Sequence, residues 1–292
     1  MVDPDNRGPR RRITDGVITC STCSNKTRVS GGIWLAMGDR SPQRTLAQLS
    51  NVVPPTPQLY ERLWRHRSLS ILSSGQTSTA EELQELVGVF RSSFDRTDNE
   101  TGAHGPDNHL STVDRTDNET GAHGFEKNRS GESSSRVIVD IACSEGLYAR
   151  TLATEFGATV IAVDHSLAFL KRLIHRSGAL PIIAIQALAQ NLPIASGSVD
   201  GVVIGGSLNE IGDQAHAVAE MGRIAATGST MFSMSLTPAA TRFGRTVQKL
   251  ARLGGVVFPT VDATTQLFAA AGFAVEPPQT DGVVLRLHGT RR

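Results

Sequence analysis

The chain has 292 residues, is 39% hydrophobic and carries a formal net charge of +1, enough for one sizeable α/β domain with an appendage. No run approaches the ~20 apolar residues that span a bilayer, and no apolar stretch follows the basic start, so neither a membrane span nor a secretory leader is expected and a cytoplasmic protein is. Its three cysteines, Cys20, Cys23 and Cys143, are an odd set in a leaderless chain, which argues against a disulfide framework.

Residues 1–55 are rich in Arg, Ser, Thr and Pro, with little periodicity, and are expected to be irregular. Residues 1–70 hold eleven Lys and Arg against five Asp and Glu, a local excess of +6, which suits either a solvated tail or an arm that holds an anionic partner such as RNA. Over 56–92 the pattern turns helical, with Tyr60, Leu63, Trp64, Ile71 and Leu72 in one stretch. A second helix is predicted from Thr79 to about Phe90, capped by Ser78 or Thr79, with Glu81 and Glu82 at the positive end of its dipole. Residues 93–135 read as a flexible linker, because Gly, Asn, Asp, Ser and Thr cannot bury enough surface to offset ordering entropy. Within it Asp95–Gly105, DRTDNETGAHG, recurs letter for letter at Asp114–Gly124, as a duplication of coding DNA would leave it.

From 136 to 292 strands and helices alternate, which implies a mostly parallel sheet covered on both faces. Strands are predicted at 137–142, 158–163, 181–185, 199–204 and 230–235, and helices at 147–155, 167–176, 211–225, 241–253 and 263–271. The segments 274–277 and 282–287 are expected to close the sheet as an antiparallel edge. The first strand runs into Asp140-Ile141-Ala142-Cys143-Ser144-Glu145-Gly146 and then directly into a helix. Small residues there let backbone approach a ligand beside a helix N-terminus. The glycines of a nicotinamide-dinucleotide turn are lacking, which disfavours an oxidoreductase. The second strand ends in Asp164-His165-Ser166, with the acid placed to meet ribose hydroxyls.

The turn resembles motif I of the class I S-adenosylmethionine-dependent methyltransferases, in particular the type 11 branch. Ala189-Gln190-Asn191-Leu192-Pro193-Ile194, Ser198-Val199-Asp200-Gly201-Val202-Val203, and Ala219-Glu220-Met221-Gly222-Arg223 with Thr227-Gly228 are similar to further blocks of that family. The resemblance implies a Rossmann-like doubly wound seven-stranded sheet and S-adenosyl-L-methionine as cofactor. It assigns cofactor contacts to Asp140, Ala142, Cys143, Ser144, Gly146, Asp164, His165, Leu188, Ala189 and Gly205. Ser144 stands where the family usually has glycine, and Leu188 where an acid often meets adenine. Cys143 is a packing residue in this reading, not a nucleophile.

Asn209 and Glu210, at the end of the fourth strand, are candidates for the acceptor side, as are Tyr60, Trp64 and His66 from a lid-like helix. As helix-start residues they have a structural reading as well, Glu210 answering the dipole. Cys20-Ser21-Thr22-Cys23, Gly31-Gly32-Ile33-Trp34-Leu35 and Tyr60-Glu61-Arg62-Leu63-Trp64-Arg65 resemble a methyltransferase branch that carries an N-terminal zinc ribbon. One C-x-x-C knuckle is half of a four-ligand site, so no metal is expected. The expected function is methyl transfer to a small-molecule acceptor. The alternatives are RNA methylation helped by the basic arm, and a degenerate module that binds the cofactor without turnover.

Overall fold

The computed structural model describes residues 13–19, 24, 26–37, 78–100 and 136–292. Among them run β1 (Gly16–Thr19), β2 (Lys26–Ser30), β3 (Ile33–Leu35), α1 (Thr79–Glu100), β4 (Val137–Ile141), α2 (Leu147–Phe156), β5 (Thr159–Asp164), α3 (Leu167–Ser177) and β6 (Ile182–Gln186). They continue with β7 (Val199–Gly205), a 3₁₀ turn (Leu208–Glu210), α4 (Gln214–Ile224), β8 (Ala225–Leu236), α5 (Arg242–Leu253), α6 (Val261–Ala270), β9 (Phe273–Val275), β10 (Gln279–Asp281) and β11 (Val284–Arg291). None of the described helices is long and apolar enough to cross a membrane.

One sheet takes all eleven described strands, in the order β1-β2-β3-β6-β5-β4-β7-β8-β11-β10, with β9 also on β11. The stretch from β3 to β8 is parallel, and β11 runs antiparallel to β8. The expected seven-stranded sheet is present as β4 to β9 with β11, and β1, β2, β3 and β10 extend it. Strand order reverses between β4 and β7, and at such a switch point the loops leaving the two strands part and open a crevice.

Alternation along β8 shows how the sheet is buried on both faces. Phe232 and Met234 join one core, with Leu86 and Phe90 of α1 and Leu152 of α2. Met231 joins the opposite core, with Ile204, Met221 and Phe268.

The helix predicted at 211–225 is α4 and starts three residues later, at Gln214, because Gly212-Asp213 breaks the run and Asp213 caps α4 by accepting from His216 N–H at 3.0 Å. Helix α1 ends ten residues beyond its expected limit, taking in Asp95–Glu100 of the first repeat copy. Its apolar anchor explains this: Phe94 meets the Phe156 ring edge-on at 5.3 Å, and Arg136 donates to Phe94 O at 3.3 Å and pairs with Asp98. The second repeat copy lies outside the described residues.

The N-terminal part departs furthest from expectation. Gly31 and Gly32, with φ of 58° and 78°, make a two-residue hairpin between β2 and β3, the left-handed pair such a turn requires. Strand β3 then pairs with β6, Ile33 opposite Ala184. The described part of 1–55 is thus an added sheet edge.

Candidate cofactor site

Three loops leave the carboxyl edge side by side, after β4, β5 and β7. The first is the turn 142–146, in which Ala142, Ser144 and Gly146 all have positive φ, at 53°, 51° and 74°. Backbone of that hand is costly with a Cβ. Gly146 also has no room for one, since a Cβ would lie 2.0 Å from Leu173 Cδ1. Ser144 and Ala142 carry that strain, so Ser144→Gly is expected to raise stability by about 1 kcal/mol, read as a small rise in Tm.

The turn is held from every side. Ala149 N–H donates to Asp140 Oδ2 at 3.0 Å, Cys143 N–H to Val163 O at 3.0 Å and Ser207 Oγ to Ala142 O at 3.2 Å. Glu145, 1% exposed, pairs with Arg172 and Arg176 of α3 at 2.6 and 2.5 Å. Asp140, 2% exposed, fixes the first turn of α2 through its bond from Ala149. The Cys143 thiol is buried, and desolvation first, then the Asp140 and Asp164 carboxylates, push its pKa well up, as suits a packing residue.

Asp164 ends β5. Its Oδ2 accepts from Ser144 N–H at 2.9 Å and its Oδ1 from Ser166 N–H at 2.8 Å. Burial raises its pKa, against the pull of His165 and of backbone N–H groups. The carboxylate is 4% exposed, and each oxygen keeps a second lone pair. His165 Nδ1 lies 3.5 Å from Asp164 Oδ1, while its buried Nε2 has no hydrogen-bond partner among the described residues. An orphaned nitrogen at the edge of the crevice is what a polar ligand would satisfy.

Leu188 and Ala189, both half-buried, open the loop after β6, which the α4 staple fixes. Leu192 N–H donates to Glu220 Oε2 at 2.8 Å, and Arg223 donates to Leu192 O at 3.0 Å, to Ile194 O at 2.8 Å and to both oxygens of Glu220. The Glu-x-x-Arg spacing puts both side chains on one helix face. The Arg223 bonds first hold the Glu220 carboxyl below the usual range. Its contribution is therefore present above the unfolded pKa of about 4.3 and is lost as pH falls through the lower folded value. In Glu220→Gln, the stability difference from wild type is expected to shrink on acidification, checked by urea unfolding across pH.

Gly205 ends β7 where a Cβ would lie 2.5 Å from the Tyr148 ring. Tyr148 meets Phe232 edge-on and donates its hydroxyl to Glu82 of α1, a carboxylate 0% exposed. Glu82 is thus more than a dipole residue. The capping work falls to Ser78 and Glu81, which exchange bonds of 2.6 and 3.2 Å as a capping box. The Ser-x-x-Glu spacing signals that box, whereas nothing local signals the Glu82–Tyr148 pair.

The Asn209 side chain is fully engaged by the fold, in line with the structural one of its two readings. At 1% exposed, it donates to Leu236 O at 2.8 Å and Val257 O at 2.6 Å and accepts from Leu236 N–H at 2.7 Å. Glu210 closes the 3₁₀ turn half-buried. Tyr60, Trp64 and His66 lie outside the described residues, as do Cys20 and Cys23, and no metal-holding cluster occurs among the described residues.

A doubly wound sheet with this turn at its switch point is the architecture of a class I methyltransferase domain. Residues 139–233, about a third of the chain, match the methyltransferase domain family. No curated protein matches the chain.

Similar solved structures include a phosphoethanolamine N-methyltransferase 2 of Haemonchus contortus, solved with phosphomonomethylethanolamine and S-adenosylhomocysteine, at 14% identity and TM-score 0.48 over 54% of this chain and 49% of that one. The chain thus spans about half of that protein. Others are a methyltransferase complexed with the Trm112 activator of Haloferax volcanii, at 16% identity and TM-score 0.47 over 53% of this chain and 82% of that one, and the YcgJ protein of Bacillus subtilis, at 14% identity and TM-score 0.47 over 54% and 92%.

Proposed function

We propose that the chain transfers the methyl group of S-adenosylmethionine to a small-molecule acceptor by in-line displacement. The observation that carries this is the run of left-handed residues Ala142, Ser144 and Gly146 at the switch point, beside the Asp164 carboxylate and the unsatisfied His165 Nε2. In this reading the 142–146 backbone cradles the methionine portion, Asp164 accepts from the ribose hydroxyls, His165 supplies a further polar contact, and Leu188 and Ala189 border the adenine. The bound cofactor supplies an electrophilic methyl on a sulfonium. The protein's part is positioning and exclusion of water, which suffices for much of such a rate. Glu210 remains an acceptor-side candidate, with Gly205 at the floor. RNA as acceptor rests on the basic arm, most of whose cations lie outside the described residues.

One observation favours the rival reading of a binding module without turnover: both Asp164 oxygens already accept backbone bonds, which leaves less of the carboxylate for ribose. Calorimetric titration with S-adenosylmethionine and S-adenosylhomocysteine tests the cofactor site. Micromolar binding is expected, followed by transfer of labelled methyl to an acceptor library. Binding without any transfer would favour the module, and no binding by folded protein would end the methyltransferase reading.

A further inference from the structure

Helix α5 carries an apolar ridge that faces solvent. Phe243 is 81% exposed, Leu250 66%, Leu253 77% and Val247 49%, with Val257 following at 41%. Positions 243, 247 and 250 fall on one helical face. The opposite shoulder is Arg242, Arg245, Lys249 and Arg252, all exposed, and the sequence has no acidic residue between Leu236 and Asp262. A third, narrow face meets the body. There Gly244 has no room for a Cβ, which would lie 2.7 Å from Ala239 Cβ, and Gln248 accepts from Ala239 N–H and donates to Thr237 O, both at 2.8 Å. The helix is thus fixed by its buried glutamine, while two turns of apolar side chains stay in water.

We propose that α5 is a docking helix for an anionic lipid surface. Charge complementarity selects this occupant: an apolar stripe with cations along its shoulder matches a bilayer interface, where the ridge enters the acyl boundary and the cations meet headgroup phosphates. A second copy is disfavoured, because stripe-to-stripe pairing would bring two cationic shoulders together without an acid on either helix. The anchors Thr237 and Ala239 directly follow the carboxyl end of β8, so docking would set the rim that bears the candidate cofactor site against the bilayer. This inference does not depend on methyl transfer.

The test is co-sedimentation of the full chain with vesicles of phosphatidylcholine alone and of phosphatidylcholine with phosphatidylglycerol. Wild type is expected to bind the anionic vesicles, and more weakly as salt screens the attraction. Phe243→Ser with Leu250→Ser should weaken binding by about tenfold at unchanged Tm, and Arg245→Gln with Lys249→Gln should erase the preference for anionic lipid. Absence of binding by folded wild type would overturn the proposal, as would binding indifferent to both variants. A dimer in sedimentation, dispersed by the serine variant, would overturn it too and assign the ridge to a second copy.

Discussion

Asp164→Ala is expected to abolish cofactor binding in calorimetry and to lower stability as well. In the proposed reading the carboxylate does two things at once. Within the protein it satisfies the N–H groups of Ser144 and Ser166, and removal of it leaves buried donors unpaired, a cost of about 2–4 kcal/mol. Toward the cofactor it would accept two ribose hydroxyls, and loss of two bonds to a charged acceptor lowers affinity by roughly a hundredfold or more. Asp164→Asn is not a mild change, since its amide would set a donor against one of those N–H groups. Because burial raises this carboxyl, and the ionised form is the acceptor, affinity should fall on acidification sooner than for an ordinary aspartate near 3.9. Affinity that survives in Asp164→Ala, with only the Tm lowered, would mean the acid serves the fold alone.

That double role was half legible in the sequence. The order of strand, small-residue turn, helix, strand and acid is local, and local periodicity carries it, so β4 to β7 fall within a residue of their expected limits, whereas β8 starts at Ala225, five residues before its expected 230. Which backbone groups the acid already serves depends on the left-handed turn at Ser144, twenty residues away. The same reason hides the rest. Strands of three to five residues at the N-terminus show little alternation, and pairing of Ile33 with Ala184 is set by a contact about 150 residues apart. The Gly31-Gly32 hairpin signal was there, and it predicts the turn without telling which sheet receives it. Helix α1 extends through polar repeat residues because Phe94 finds Phe156 and Arg136 finds Asp98, a tertiary gain that outweighs weak propensity. Glu82 shows the converse: its position fits a dipole, and its burial against Tyr148 appears only when α1 lies beside α2.

Asn209→Ala is expected to be the most destabilising of the single substitutions. All of its side-chain hydrogen-bonding atoms are engaged, at 2.6 to 2.8 Å, with Leu236 and Val257, and the Asn209 carbonyl accepts from Val257 N–H at 2.8 Å. The residue therefore ties three segments: the turn after β7, the end of β8, and the loop between α5 and α6. Truncation leaves two carbonyls and one N–H without their side-chain partner in a part-buried place, a loss of about 3–5 kcal/mol. For a domain of this size that is roughly a 10 °C fall in Tm. Asn209→Asp should be as harmful near neutral pH, because it turns a carboxylate toward the Leu236 and Val257 carbonyls that the amide now serves. A clamp and an acceptor-binding residue then differ in what they leave intact. With the clamp lost, protein held well below its Tm should keep the wild-type affinity for S-adenosylhomocysteine. Unchanged Tm with lost turnover would return Asn209 to the acceptor side and leave the join between β8 and the α5–α6 loop to the backbone alone.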